Sequence, residues 1–128
     1  MATQTTVLIV EDDANVRDFL EEALRLNGYQ AFPVGTVQEA EATRQRLGAG
    51  GIDLVIANIN LTPDPTAREG YDLARRWRAQ EPTLPVILIS GDPSLQALPD
   101  IQAGWVRFLA KPLVLDAMLR AVREALGR

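Results

Sequence analysis

A chain of 128 residues and 14.0 kDa, 47% hydrophobic and 23% charged, has the size of one domain. It carries enough apolar side chains for a real core, which argues against disorder and leaves no room for a separate effector module. Thirteen basic and seventeen acidic residues give a formal charge of −4, which speaks against a surface that tracks nucleic acid, and the absence of cysteine and histidine excludes disulfides, thiolate nucleophiles, zinc triads, Ser-His-Asp chemistry and a phosphohistidine. Any chemistry therefore rests on carboxylates, hydroxyls and a few amines. The stretch from Met1 to Thr6 lacks the basic and apolar regions of a signal peptide, and no apolar run approaches the ~20 residues of a membrane span. The expected compartment is the cytoplasm, with neither membrane nor DNA among the partners.

Taken in chain order, apolar runs alternate with segments of helical period, the pattern of β-α units and a parallel sheet. The first strand, Thr6 to Val10, is a continuous apolar run after its leading threonine, as expected when helices cover both its faces. Val16, Phe19, Leu20, Ala23, Leu24 and Leu26 fall on one face of a first helix over Ala14 to Asn27, stopped by Asn27-Gly28. A short second strand covers Tyr29 to Val34. Thr36 then offers an N-cap to a second helix ending at Gly48, with Glu39 completing a capping box. The glycines at 48, 50 and 51 precede a strand and open no helix, so they form a connection and not a phosphate loop.

The third strand runs from Asp53 to Asn58 and is followed by a long polar loop, Ile59 to Glu69, and a third helix from about Gly70 to Gln80. Pro85 to Ser90 is the fourth strand and Val106 to Ala110 the fifth. Between them Pro99 interrupts a weak helical pattern, so a short or broken element is expected there. Residues 113–126 make an amphipathic last helix. On the third helix, Arg75, Arg76 and Arg78 read as a solvated face and Trp77 as one packed aromatic.

In an open parallel sheet, ligands bind beyond the carboxyl ends of the strands. Those ends carry Glu11, Asp12 and Asp13 after strand one, Asn58 on strand three, Ser90 on strand four and Lys111 after strand five. Crowding Glu11 against Asp12 is unfavourable unless a cation separates them, and hard oxygen ligands suit Mg²⁺. The alternative is that these acids only cap the first helix, a role that fits Asp13 best. Lys111 is the single lysine beside twelve arginines, a point charge suited to phosphate or carboxylate, unless chance in an arginine-biased composition placed it there.

The segments VLIVEDDANVR, DLVIANINL, GYDLARRWR, PVILISG and FLAKP, in this order and spacing, resemble the receiver domain of bacterial two-component response regulators of the chemotaxis type. The resemblance spans about Thr6 to Leu126. It implies a flavodoxin-like (βα)5 fold, a doubly wound parallel sheet of strand order 2-1-3-4-5 in three layers, α/β/α. It further implies phosphoryl transfer from a histidine kinase to an aspartate ending strand three. By the same resemblance Glu11, Asp12 and the Asn60 carbonyl match the Mg²⁺ ligands, Ser90 and Lys111 the phosphate pocket, and Ser90 with Phe108 the hydroxyl and aromatic of the switch. Ser90 as a loop cap and Phe108 as an ordinary strand aromatic are the plainer alternatives.

Two positions depart from the family pattern. Asn58 holds the phosphoacceptor place, and an amide nitrogen with a delocalised lone pair cannot replace the carboxylate oxygen in an acyl phosphate. Phosphotransfer there should be absent and Mg²⁺ weakened, while Asn58 could hold Lys111 and Ser90 in one arrangement without a cofactor. The loop after strand three is also four residues longer than usual: Thr62 stands where the family has proline, with Pro63 next, and the following glycine is Gly70. Asp64 in that loop is a weak substitute acceptor. Asp53 is weaker still, since five residues at ~3.3 Å place it at the opposite strand end.

The leading expectation is a non-enzymatic, single-domain pseudo-receiver acting by protein–protein interaction. Its partner would be a histidine kinase, a phosphotransfer protein or another response regulator, and a homodimer through the face of helix four, strand five and helix five is a further option. The alternatives are a conventional phospho-accepting receiver, with Asn58 an engineered replacement of aspartate or Asp64 substituting, and a small Mg²⁺-dependent phosphohydrolase or nucleotide binder on the same scaffold.

Overall fold

The computed structural model describes residues 4–127, so Met1 to Thr3 of the N-terminal stretch lie outside the described residues. Among these residues five strands, β1 (Thr6–Val10), β2 (Gln30–Val34), β3 (Leu54–Asn58), β4 (Val86–Ser90) and β5 (Arg107–Ala110), alternate with five helices. The helices are α1 (Ala14–Leu26), α2 (Val37–Leu47), α3 (Glu69–Gln80), α4 (Pro99–Gln102) and α5 (Leu115–Ala125). All strand pairs are parallel and the order is β2-β1-β3-β4-β5, the doubly wound flavodoxin-like sheet.

Side chains alternate across the sheet, and this alternation sorts the core into two halves. Val7 and Ile9 of β1, Leu54 and Ile56 of β3, and Ile87 and Ile89 of β4 pack with Leu20 and Leu24 of α1 and Met118 and Val122 of α5. Leu8, Val10, Val55, Ala57 and Leu88 face the other way, onto Ala40 of α2 and Tyr71, Leu73, Ala74 and Trp77 of α3. Covering both faces explains why β1, β3 and β4 are apolar without a polar alternate. Phe108, half-buried, joins the α2 and α3 side.

The connection between β4 and β5 corrects the expected role of Pro99. The chain forms a 3-10 turn over Pro93–Ala97 and then the four-residue α4, whose first helical residue is Pro99 itself. At that position no intrahelical partner exists for an N–H, so proline starts this helix instead of breaking it. The register of the sheet sets the strand ends level. Val10 lies opposite Ala57, Asn58 opposite Ile89 and Ser90 opposite Ala110, which brings Glu11, Asn58, Ser90 and Lys111 to one edge.

Candidate functional site

At the end of β1 the Glu11 amide still pairs with Val34 of β2, at 3.0 Å, and the chain then turns into α1. Asp13 caps that helix, its carboxylate accepting from the Asn15 and Val16 amides at 2.8 and 3.2 Å. The capping role expected of Asp13 therefore holds, and it frees Glu11 and Asp12 for other contacts. Glu11 is fully buried, and its Oε1 accepts the Asp13 amide at 3.0 Å. Burial pushes its carboxyl up from the ordinary value, against the opposing pull of the Asp13 amide and the Lys111 ammonium.

Asn58 is 7% exposed and stands at the centre of the edge. Its Nδ2 donates toward three oxygens at once: Glu11 Oε1 at 3.2 Å, Asp12 Oδ1 at 3.0 Å and the Asn60 carbonyl at 2.6 Å. An NH₂ group has two hydrogens, so three acceptors share them. The surroundings also fix which way the amide faces, because an oxygen turned toward these acceptors would be repelled by all of them.

Lys111 does not bond to Asn58. Its Nζ lies 3.0 Å from Glu11 Oε2 and 3.3 Å from Oε1, reaching across the edge from β5 to β1. Ser90 is buried, and its Oγ accepts the Asp92 amide at 3.0 Å, while Asp92 in turn caps the 3-10 turn through the Ser94 amide. Among the described residues no hydrogen bond joins Asn58 to Ser90 or to Lys111, so the expected arrangement is corrected. The amide goes instead to the Asn60 carbonyl and the two carboxylates, and the ammonium to Glu11, a charged acceptor that outcompetes a neutral one.

The lengthened loop is held by its own side chains. The Asn60 side chain donates to the Ala67 carbonyl, and Glu69 accepts from the Leu61 amide at 3.1 Å and from the Thr62 hydroxyl. Glu69 lay at the loop boundary in the sequence with no spacing signal to mark it, because its partners are set by the loop's path. Gly70 permits the close approach of α3 to β3: a Cβ there would fall 1.8 Å from the Asn58 carbonyl oxygen. Asp64 is exposed, and its carboxylate accepts the Thr66 amide and hydroxyl at 2.9 and 2.8 Å, which hold it below the usual carboxylate range. Asp53, at the other end of β3, accepts the Thr6 amide at 2.8 Å and belongs to the sheet's opposite edge.

The sequence model of the response regulator receiver domain matches residues 7–123. The chain belongs to this family. This receiver domain is 31% identical over 124 residues to the C4-dicarboxylate transport transcriptional regulatory protein DctD of Pseudomonas aeruginosa, covering 96% of this chain and 25% of that one. It is 30% identical over 118 residues to the swarming motility regulation protein RssB of Serratia marcescens, covering 91% and 51%. The chain thus spans about a quarter to a half of the length of these curated relatives. Among solved structures it is similar to a response regulator receiver protein from Sinorhizobium medicae, with TM-score 0.78 and 26% identity over 97% of this chain and 95% of that one. The non-phosphorylated HemR receiver domain from Leptospira biflexa aligns with TM-score 0.81 and 25% identity, covering 98% and 96%. No described helix of this receiver domain is long and apolar enough to cross a membrane.

Proposed function

We propose that this receiver domain works without phosphorylation, as a pseudo-receiver whose output is binding to another signalling protein. The observation that carries the reading is the buried carboxamide of Asn58 at the end of β3, in the place where a receiver needs a nucleophilic carboxylate. Its surroundings support the same reading. The Ser90 hydroxyl is engaged with its own loop and Lys111 with Glu11, so neither is held ready for an incoming phosphoryl group.

Receiver domains interact with histidine kinases and other signalling proteins. The partner proposed for this one is a histidine kinase, a phosphotransfer protein or another response regulator, met in the cytoplasm, and the domain itself catalyses nothing. Asp64 is a poor substitute acceptor because its carboxylate closes a turn with Thr66. The test is incubation with acetyl phosphate and Mg²⁺, followed by intact mass and peptide mapping. The wild-type chain should gain no phosphoryl group, and a phosphorylated peptide from either Asp64 or the Asn58 region would overturn the proposal. Asn58→Asp under the same conditions should gain one, which reports whether the remaining pocket still supports the chemistry.

A further inference from the structure

The family implies Mg²⁺ at this edge, held by Glu11, Asp12 and the Asn60 carbonyl. These residues do not fit it as they stand. Mg²⁺ requires its oxygens at about 2.1 Å in near-octahedral geometry. Here the point on which the three oxygens converge is taken by the Asn58 nitrogen, at 3.2, 3.0 and 2.6 Å from them. Its hydrogens carry partial positive charge and would repel an ion beside them. Turning the carboxamide over would offer Oδ1 to a cation, but only with the loss of all three contacts. Glu11 Oε1 is further committed to the Asp13 amide and the Lys111 ammonium, while the buried Oε2 makes no hydrogen bond among the described residues and is held only by the charge of that ammonium at 3.0 Å.

We infer that the Asn58 carboxamide and the Lys111 ammonium together take the place of the divalent cation, so that the strand-end pocket, though it keeps one net negative charge, has its converging oxygens occupied from within and is closed to Mg²⁺. The replacement is a division of labour. Lys111 supplies a full positive charge to the buried Glu11, and the amide supplies two directed hydrogens shared among Asp12 Oδ1, the Asn60 carbonyl and Glu11 Oε1. The two strand ends that a metal would join, β1 and β3, are then joined through Asn58, and Lys111 adds a link from β5 to β1. Asn58 is a positioning residue in this account. The inference rests on the reading of this pocket as a receiver pocket without an acceptor, and it adds that the obstacle to metal is the amide itself and not merely one missing negative charge.

Two substitutions separate those causes. Asn58→Ala removes the donors without adding charge and leaves Glu11, Asp12 and the Asn60 carbonyl in place, whereas Asn58→Asp adds a ligand. Thermal midpoints of the wild type and both variants are compared in EDTA and in millimolar MgCl₂ at matched ionic strength. The wild type should not move, and both variants should rise by about 4 °C or more as binding to the native state is linked to stability. A rise in the wild type overturns the inference, and so does a silent Asn58→Ala beside a responsive Asn58→Asp, since charge alone would then decide. Paramagnetic broadening by Mn²⁺ tests the wild type without any variant. The backbone amide signals of Asp12, Asn60 and Lys111 should stay sharp at stoichiometric Mn²⁺, and their selective loss would show that an ion enters. That outcome would end the closed-pocket inference while leaving absence of phosphorylation, read by mass, to stand or fall separately.

Discussion

At the residue scale the pocket is a balance between two carboxylates and the donors that face them. Glu11 has no access to water, so its ionised form depends on the Asp13 amide and on Lys111, whose side chain is 21% exposed. Removing the lysine leaves a buried acid unpaired, the costly way to break such a pair. Lys111→Met should therefore lower stability by about 2 kcal/mol, discounted from the full buried-pair cost for the partial exposure of the ammonium. The double variant Glu11→Gln/Lys111→Met should recover part of that loss, as urea midpoints would show. Ser90 offers a contrast. Its hydroxyl serves one amide in its own loop, so Ser90→Ala should cost only about 1 kcal/mol and leave the Asn58 and Lys111 signals in an NMR spectrum unmoved. The identity of Asn58 was plain in the sequence, but the direction of its amide was not. That direction is set by acceptors from positions 11, 12 and 60, and only Asn60 is near in the chain.

At the scale of elements, the start of α3 decides how the long loop sits. The Gly70 amide bonds to the Ile59 carbonyl at 2.9 Å, and the helix begins directly against the end of β3. A methyl group at this position would have to displace backbone, since the overlapping atom is a carbonyl oxygen with nowhere to turn. Gly70→Ala should cost about 3 kcal/mol by chemical denaturation and shift the amide signals of residues 58 to 61. The arginine run on α3 resolves into local duties. Trp77 is buried with its Nε1 on Glu41 at 3.0 Å and Arg44 over its ring at 4.9 Å, Arg76 pairs with the same Glu41, and Arg78 holds the Pro82 and Leu84 carbonyls. The sequence reading of a solvated face with one packed aromatic holds for Arg75, Arg76 and Trp77, whereas Arg78 is half-buried. It could not foresee that α2 supplies partners for both Trp77 and Arg76. Trp77→Ala should be among the most damaging single changes, at about 4 kcal/mol, with a matching loss in thermal midpoint.

For the whole molecule, side-chain links across the ends of β1, β3 and β5 favour one arrangement of the edge. A conventional receiver changes state because phosphate draws on the hydroxyl and the lysine, biasing a two-state surface. Here the lysine already has its carboxylate and the hydroxyl its amide, so a ligand would have to displace both. Acetyl phosphate with Mg²⁺ should accordingly leave the wild-type amide spectrum unchanged over the α4, β5 and α5 surface. Asn58→Asp should show shifts there, including at Phe108.

The alternation of apolar runs with helical segments determined the β-α units, the parallel sheet and the edge on which the site would lie, because burial on both faces leaves a legible pattern in a parallel strand; the strand order and the three layers were implied by the resemblance to receiver domains. The presence of an amide at the end of the third strand, and of a single lysine before a proline, was equally available from the chain alone. Folding decided what those groups touch. Glu11 and Lys111 are a hundred positions apart, and their pairing depends on sheet register and on the exclusion of water from Glu11, neither of which is carried by any local stretch of residues. The same holds for Pro99, which reads as a breaker until the turn before it places it first in a helix.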